Sequence, residues 1–234
     1  NDGTIYALSG VLLAANEVLA TPQTQRLVQE QMDLILNRFQ RQNGMLWENY
    51  QADFTPVSLD WQSQPRESGQ PSHVAIGGHT AMAGQQVIEG ARQLRQQGVL
   101  DQAQYDGYVQ RAVELFQDFA SQSGAVDWNS GAVHNAIRVE EPEASKRWLS
   151  NWGDASWQQA EFLQTMVRLH EEGRLGQIQG PDGQNGTDLF AKAQSFYQEH
   201  YSQSATPSFK DYFGNPDVYH VPQVALYFQQ ARAK

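Results

Sequence analysis

The sequence predicts an all-α protein assembled from stacked helix hairpins. Apolar residues recur at three- and four-residue steps in seven separate segments, and long polar loops alternate with short ones between them. No strand–helix alternation, GxGxxG, P-loop or GxSxG pattern interrupts the series, which argues against doubly wound nucleotide folds and α/β-hydrolases. Short strands are expected only within the long loops. With 234 residues the chain has the length for a real core and reads as one domain spanning 1–234.

The elements follow in order. Thr4 to Ala20 places Ile5, Leu8, Leu12, Ala15 and Leu19 at helical steps with Glu17 as its one charge, which predicts a buried helix. Thr21-Pro22 supplies an N-cap and a first-turn proline for a second helix with Val28, Met32, Ile35, Leu36 and Phe39 on one face, stopped by Asn43-Gly44. Residues 45–61 read as a short strand or extended loop, followed by a polar stretch. A third helix covers about Thr80 to Gln96, with Val87, Ile88, Ala91 and Leu94 inward. Asp101 and Gln104 form a capping box for a fourth, lined by Tyr105, Tyr108, Ala112, Phe116 and Phe119. Residues 124–153 are rich in Gly, Asn and Trp and read as loop with short strands. Helices over about Ser156–Glu172, Thr187–Tyr201 and Val221–Ala233 complete the set. Seven is an odd number for a hairpin-built fold, and the first helix has no cap ahead of it, so the chain is expected to begin inside an architecture.

Composition narrows the function. Hydrophobic residues make up 40% and charged residues 18%, too apolar for a disordered chain. A net charge of −10 without a basic cluster makes nucleic acid a poor partner. No apolar run reaches the roughly 18 residues of a membrane span, so a soluble protein is expected. The absence of cysteine excludes disulfides, thiolate metal sites and thiol nucleophiles. No signal-peptide pattern opens the sequence, and cytoplasmic, periplasmic and secreted locations all stay open. The start at Asn1-Asp2-Gly3 suggests a processed, trimmed or partly observed chain.

The histidines and loop aromatics are the candidates for chemistry. His79 lies in Ile76-Gly-Gly-His79-Thr-Ala-Met82-Ala-Gly84, at the mouth of the third helix. A helix N-terminus favours the neutral imidazole that accepts a proton. The blander alternative is a histidine that caps or packs there. His220 lies in Asn215-Pro-Asp217-Val-Tyr219-His220-Val-Pro222, at the start of the last helix, and two such histidines can act as base and acid across a shared bowl. Its alternative is a surface loop residue. Trp157 and Glu161, four apart, share a helix face, and an aromatic plate beside a carboxylate suits a sugar ring. A core Trp with a solvated Glu is at least as common. Trp47, Tyr50, Asp53, Trp61 and Trp128 fall in the long loops and suit a carbohydrate pocket, or pack under their own loops. His73 and His134 have no assigned role, and His170 and His200, late in helices, read as structural. No metal-ligand spacing is found, so a metal site is not expected.

Gly78-His79 opening an apolar helix, Trp157-Gln158-Gln159-Ala160-Glu161, and Asn215-Pro216-Asp217-Val218-Tyr219-His220 occur in that order. Together with Asn49-Tyr50-Gln51-Ala52-Asp53-Phe54-Thr55-Pro56 they resemble the N-acylglucosamine 2-epimerase superfamily, which includes cellobiose 2-epimerases and mannose-type aldose–ketose isomerases. The resemblance spans about residues 5–230, the second half or more of a typical member. It implies an (α/α)6 toroid, incomplete in this chain, with a mono- or disaccharide bound in the central cavity. It implies that His79 and His220 exchange a proton at C2 through an enediol(ate), with Trp157 and Glu161 binding substrate and no cofactor required. Trp47, Asp53, Trp128 and Tyr219 are the further substrate-binding candidates.

Two departures qualify that implication. Members carry Glu three residues after the first histidine, where this chain has Met82, and a further family histidine has no counterpart among Tyr6, Ala7, Leu8 and Ser9. A second reading is therefore a catalytically impaired member serving as a carbohydrate binder or interaction scaffold. A third is a glycoside hydrolase or polysaccharide lyase on a similar toroid, with Asp53, Asp127 and Glu161 as candidate carboxylates. Half a toroid would also expose the apolar flank of the first hairpin, so an N-terminal segment or a second chain is expected to complete the ring.

Overall fold

A computed structural model describes residues 4–39, 41–42, 44–47, 50, 53–55, 74–134, 136–138 and 156–202. The elements are α1 (Thr4–Leu19), α2 (Pro22–Asn37), β1 (Arg41–Gln42), β2 (Met45–Leu46), β3 (Val74–Ile76), α3 (Gly77–Gln96), α4 (Gln102–Gln122), β4 (Ala136–Arg138), α5 (Ser156–Glu171) and α6 (Gly186–Tyr197). The strands form two antiparallel two-stranded pairs, β1–β2 and β3–β4, and the other regular elements among the described residues are helical.

The helices form two rows. Near their starts α3 and α5 are joined by Gly78 N–H donating to Gln158 Oε1, and near their ends by Arg92 to Glu171, so the two run parallel. Leu12 and Leu13 of α1 line a small cavity with Gln86 of α3, and one turn on Asn16 donates to Gln93, so α1 runs parallel to α3 as well. Between these parallel helices the chain must return, and α2 and α4 supply the antiparallel partners. This is the inner-row, outer-row arrangement of α/α hairpins.

The local signals for each helix are in place. Thr21 caps α2 and Asp101 caps α4, each in a reciprocal capping box, and Asn185 does the same for α6. The core lies between the rows. Phe116, Phe119 and Phe162 join α4 to α5, with ring centroids 5.4 Å apart for Phe116–Phe162 and 6.1 Å for Phe119–Phe162. Gly90 of α3 admits α2, since a Cβ there would lie 2.8 Å from the Met32 sulfur.

Several boundaries differ from the sequence reading. α2 stops at Asn37 rather than at Asn43-Gly44, because the chain has already turned into the β1–β2 hairpin. Gly44, at φ +74°, sits against the Asp118 carbonyl, where a Cβ would approach the oxygen to 2.1 Å, so this glycine belongs to a tight hairpin turn. α3 starts at Gly77, three residues before the expected Thr80. After Tyr197, α6 passes into a π-helical turn over Gln198–Ser202. The last expected helix, 221–233, lies outside the described residues. α1 is not the buried helix its apolarity suggested: Val11, Val18 and Leu19 are 67%, 81% and 60% exposed. It packs on α2 and α3 from one side, and no described element covers the other.

Candidate functional site

β3 delivers the chain to the site. It pairs with β4 in the register Val74↔Arg138, Ala75↔Ile137 and Ile76↔Ala136, then enters α3 directly. Gly77 and Gly78 make that entry sterically feasible. A Cβ on Gly77 would stand 2.9 Å from the His134 carbonyl oxygen, and one on Gly78 would stand 2.7 Å from the Trp157 ring. Only glycine lets the start of α3 lie this close to the start of α5.

His79 is the third residue of α3 and is half-buried. Its ring centroid is 5.0 Å from that of Trp157, with the planes tilted by 44°. Trp157 is 8% exposed and Glu161, one turn further on, 4%. The indole therefore braces the imidazole rather than standing open as a plate, and the carboxylate is buried rather than solvated. Thr165 continues the contact between the helices by donating to the Ala81 and Glu161 carbonyls at 2.8 and 2.9 Å.

Gln158 and Gln159, which the sequence reading quoted only as motif letters, hold the surroundings. Gly78 N–H donates to Gln158 Oε1 at 2.9 Å. Gln159 accepts from Val133 N–H at 3.0 Å and donates to the Gly131 carbonyl at 2.8 Å, fixing the loop that precedes β4. The signal for Gln158 lay in a missing cap: Ile76, the N-cap of α3, offers no side-chain acceptor.

Along α3 the half-buried residues His79, Met82, Gln85, Glu89 and Arg92 form one stripe. Gln85 donates to Gln164 of α5 at 3.2 Å. Beyond it the stripe becomes ionic. Arg168 pairs with Glu89 at 3.3 Å and with Glu171 at 2.9 Å, while Arg92 pairs with Glu171 at 3.2 Å and Glu172 at 2.8 Å. The Tyr105 hydroxyl donates to Glu172, and Arg95 lies over the Tyr105 ring at 4.7 Å. Burial, then the bond to Glu172, pushes the Tyr105 phenol up to about 12. For Glu171, burial opposes ionisation, but Arg168 and Arg92 hold the carboxyl below its ordinary range.

The remaining candidates are scattered. Trp128 is buried, donates its indole N–H to the Ala120 carbonyl at 2.8 Å and covers Gly180, which places it in the core between α4 and the loop before α6. Asp53 is exposed and accepts from the Thr55 hydroxyl and backbone at 2.6 and 3.0 Å, bonds that hold its carboxyl below the usual range. Trp47 is half-buried against the core, its backbone N–H donating to the Tyr50 hydroxyl at 3.1 Å. Asp127 accepts from Asn129 N–H and the Ser130 hydroxyl at 2.9 and 2.6 Å, closing its own turn. His170 stacks on Phe190 and His200 on Phe196. Tyr219 and His220, with Trp61 and His73, lie outside the described residues. No cluster of three or more His, Asp or Glu side chains fit to hold a metal is found among the described residues, and none of their helices is long and apolar enough to cross a membrane.

Parallel inner helices with antiparallel outer partners, and a polar stripe running down the inner row, define an α/α-toroid protein. The fold is similar to that of cellobiose 2-epimerase from Bacillus thermoamylovorans B4167, with a TM-score of 0.64 and 12% sequence identity, covering 97% of this chain and 52% of that one. It is equally similar to a sugar epimerase from a ruminal bacterium, with a TM-score of 0.64, 10% identity and the same 97% and 52% coverage. The chain thus spans about half the length of the solved structures it matches. No protein-family model matches the sequence, and no curated protein does.

Proposed function

We propose that the chain is part of a carbohydrate 2-epimerase or aldose–ketose isomerase, with His79 as one of its two acid/base groups. The observation that carries this reading is the His79–Trp157 pair at the adjoining starts of α3 and α5, with the buried Glu161 carboxylate one turn away. In the proposed reaction an imidazole removes the C2 proton of a ring-opened sugar, leaving an enediol(ate). A second imidazole, assigned to His220, returns a proton. Delivery to the opposite face of C2 gives the epimer, and delivery to C1 gives the ketose. Glu161 serves as an acceptor for a sugar hydroxyl and Trp157 holds the His79 ring. Further helices, from a preceding segment or a second chain, cover the open side of α1 and complete the ring.

The test is deuterium uptake at C2 in D2O with mannose, glucose, N-acetylmannosamine and short β-linked disaccharides. Uptake that His79→Ala and His220→Ala each abolish is expected. No uptake with any of these sugars overturns the reading.

Met82 favours a second reading, a sugar-binding or scaffold protein without turnover. It is half-buried against the core on the His79 stripe, where a thioether neither orients an imidazole nor shares its charge. Calorimetric binding of a sugar without C2 exchange, weakened by Trp157→Ala, would select it. In the hydrolytic reading the candidate carboxylates are Asp53, Asp127 and Glu161; Asp53 and Asp127 each accept hydrogen bonds within their own turns.

A further inference from the structure

We propose that Gln158 is the positioning residue of the His79–Trp157 pair: its side-chain oxygen caps α3 from the neighbouring helix and so fixes the imidazole against the indole. The proposal rests on reading those two rings as the site.

The first N–H groups of any helix lack partners inside it, and a side chain just ahead of the helix normally supplies one. α3 has no such side chain, because its N-cap is Ile76. Gln158, eighty residues away in sequence and on the first turn of α5, takes over, with Gly78 N–H donating to Oε1 at 2.9 Å. The bond is buried, and Gln158 is 1% exposed. It joins positions 78 and 158, each one residue from a ring of the pair, at 79 and 157. A slip between the helix starts therefore moves the rings by a similar amount. The fit has no slack, since a Cβ on Gly78 would come within 2.9 Å of Gln158 Cγ and 3.0 Å of its Cα.

The two adjacent glutamines differ in what they hold. Gln159 uses both ends of its amide within the loop at 131–133. Gln158 uses only its oxygen; its buried Nε2 finds no acceptor among the described residues. The one bond its side chain makes among them is therefore the oxygen's, to Gly78 at the pair.

The experiment reads geometry without sugar, so it fails independently of the C2 exchange assay. The His79 ring protons of the protein, with whatever helices complete its ring, are assigned by NMR. Their ring-current displacement by the indole is defined as the difference between the wild type and Trp157→Leu, which carries no aromatic ring. Gln158→Met keeps the side-chain length and removes the acceptor, and is expected to lose most of that displacement. Gln158→Glu keeps an acceptor on Gly78 and is expected to retain it. Wild-type His79 shifts in a folded Gln158→Met protein overturn the proposal, as does loss of the displacement in Gln158→Glu. Should Gln158→Met not fold, Gln158→Asn, one methylene short of Gly78, takes its place with the same expected loss, and retention there overturns the proposal.

Discussion

The two ends of the α3–α5 pair are joined by different chemistry. At the start, contact is steric and neutral: two glycines, an indole against an imidazole, and one amide bond from Gln158. At the far end the same helices are joined by charge, with Arg92 and Arg168 shared among Glu89, Glu171 and Glu172 and tied to Tyr105. The first kind of contact depends on shape and is indifferent to salt. The second tolerates displacement of its long side chains but responds to salt and pH. The rigid end is the one that carries the candidate site.

This contrast is breakable from either side. The largest effect is expected from Gly78→Ala, which forces a methyl into the Trp157 ring; overpacking of this kind costs about 3 kcal/mol. Thermal unfolding should show that loss unchanged between low and high salt. Arg92→Met removes the cation between Glu171 and Glu172 and should cost about 2 kcal/mol at low salt. Chemical denaturation should show this difference shrinking as salt rises, and a salt-independent loss would contradict the division. The smallest effect is that of Tyr105→Phe, about 1 kcal/mol near neutrality. Because folding raises the phenol from its ordinary 10 to about 12, its contribution is full below pH 10 and is lost as pH rises towards 12. Wild type and variant should therefore converge in stability over that window.

Much of the helical architecture was legible because it rests on local rules. The caps at Thr21 and Asp101 and the apolar faces of α2, α3 and α4 lie where the spacing placed them. Asn43-Gly44 was misread as a helix stop because a glycine with positive φ ends helices and turns hairpins alike, and only the pairing of Gln42 with Met45 decides between them. The site was less legible. The meeting of His79 with Trp157 depends on residues nearly eighty apart, and the clearance at Gly78 that allows it has no local signature. Trp128 shows the reverse problem: a loop aromatic looks the same in sequence whether it faces a ligand or, as here, gives its N–H to the core.

The side of α1 that no described element covers bears on how this polypeptide behaves at high concentration. Val11, Val18 and Leu19 form a non-wetting strip on a molecule whose formal charge is −10. In dilute buffer the shared negative sign holds copies apart. At about 0.15 M salt the repulsion reaches only about 8 Å, and the strips are free to meet. Where nothing else covers that side, rising ionic strength is expected to favour association of copies through α1, which light scattering across a salt series reads.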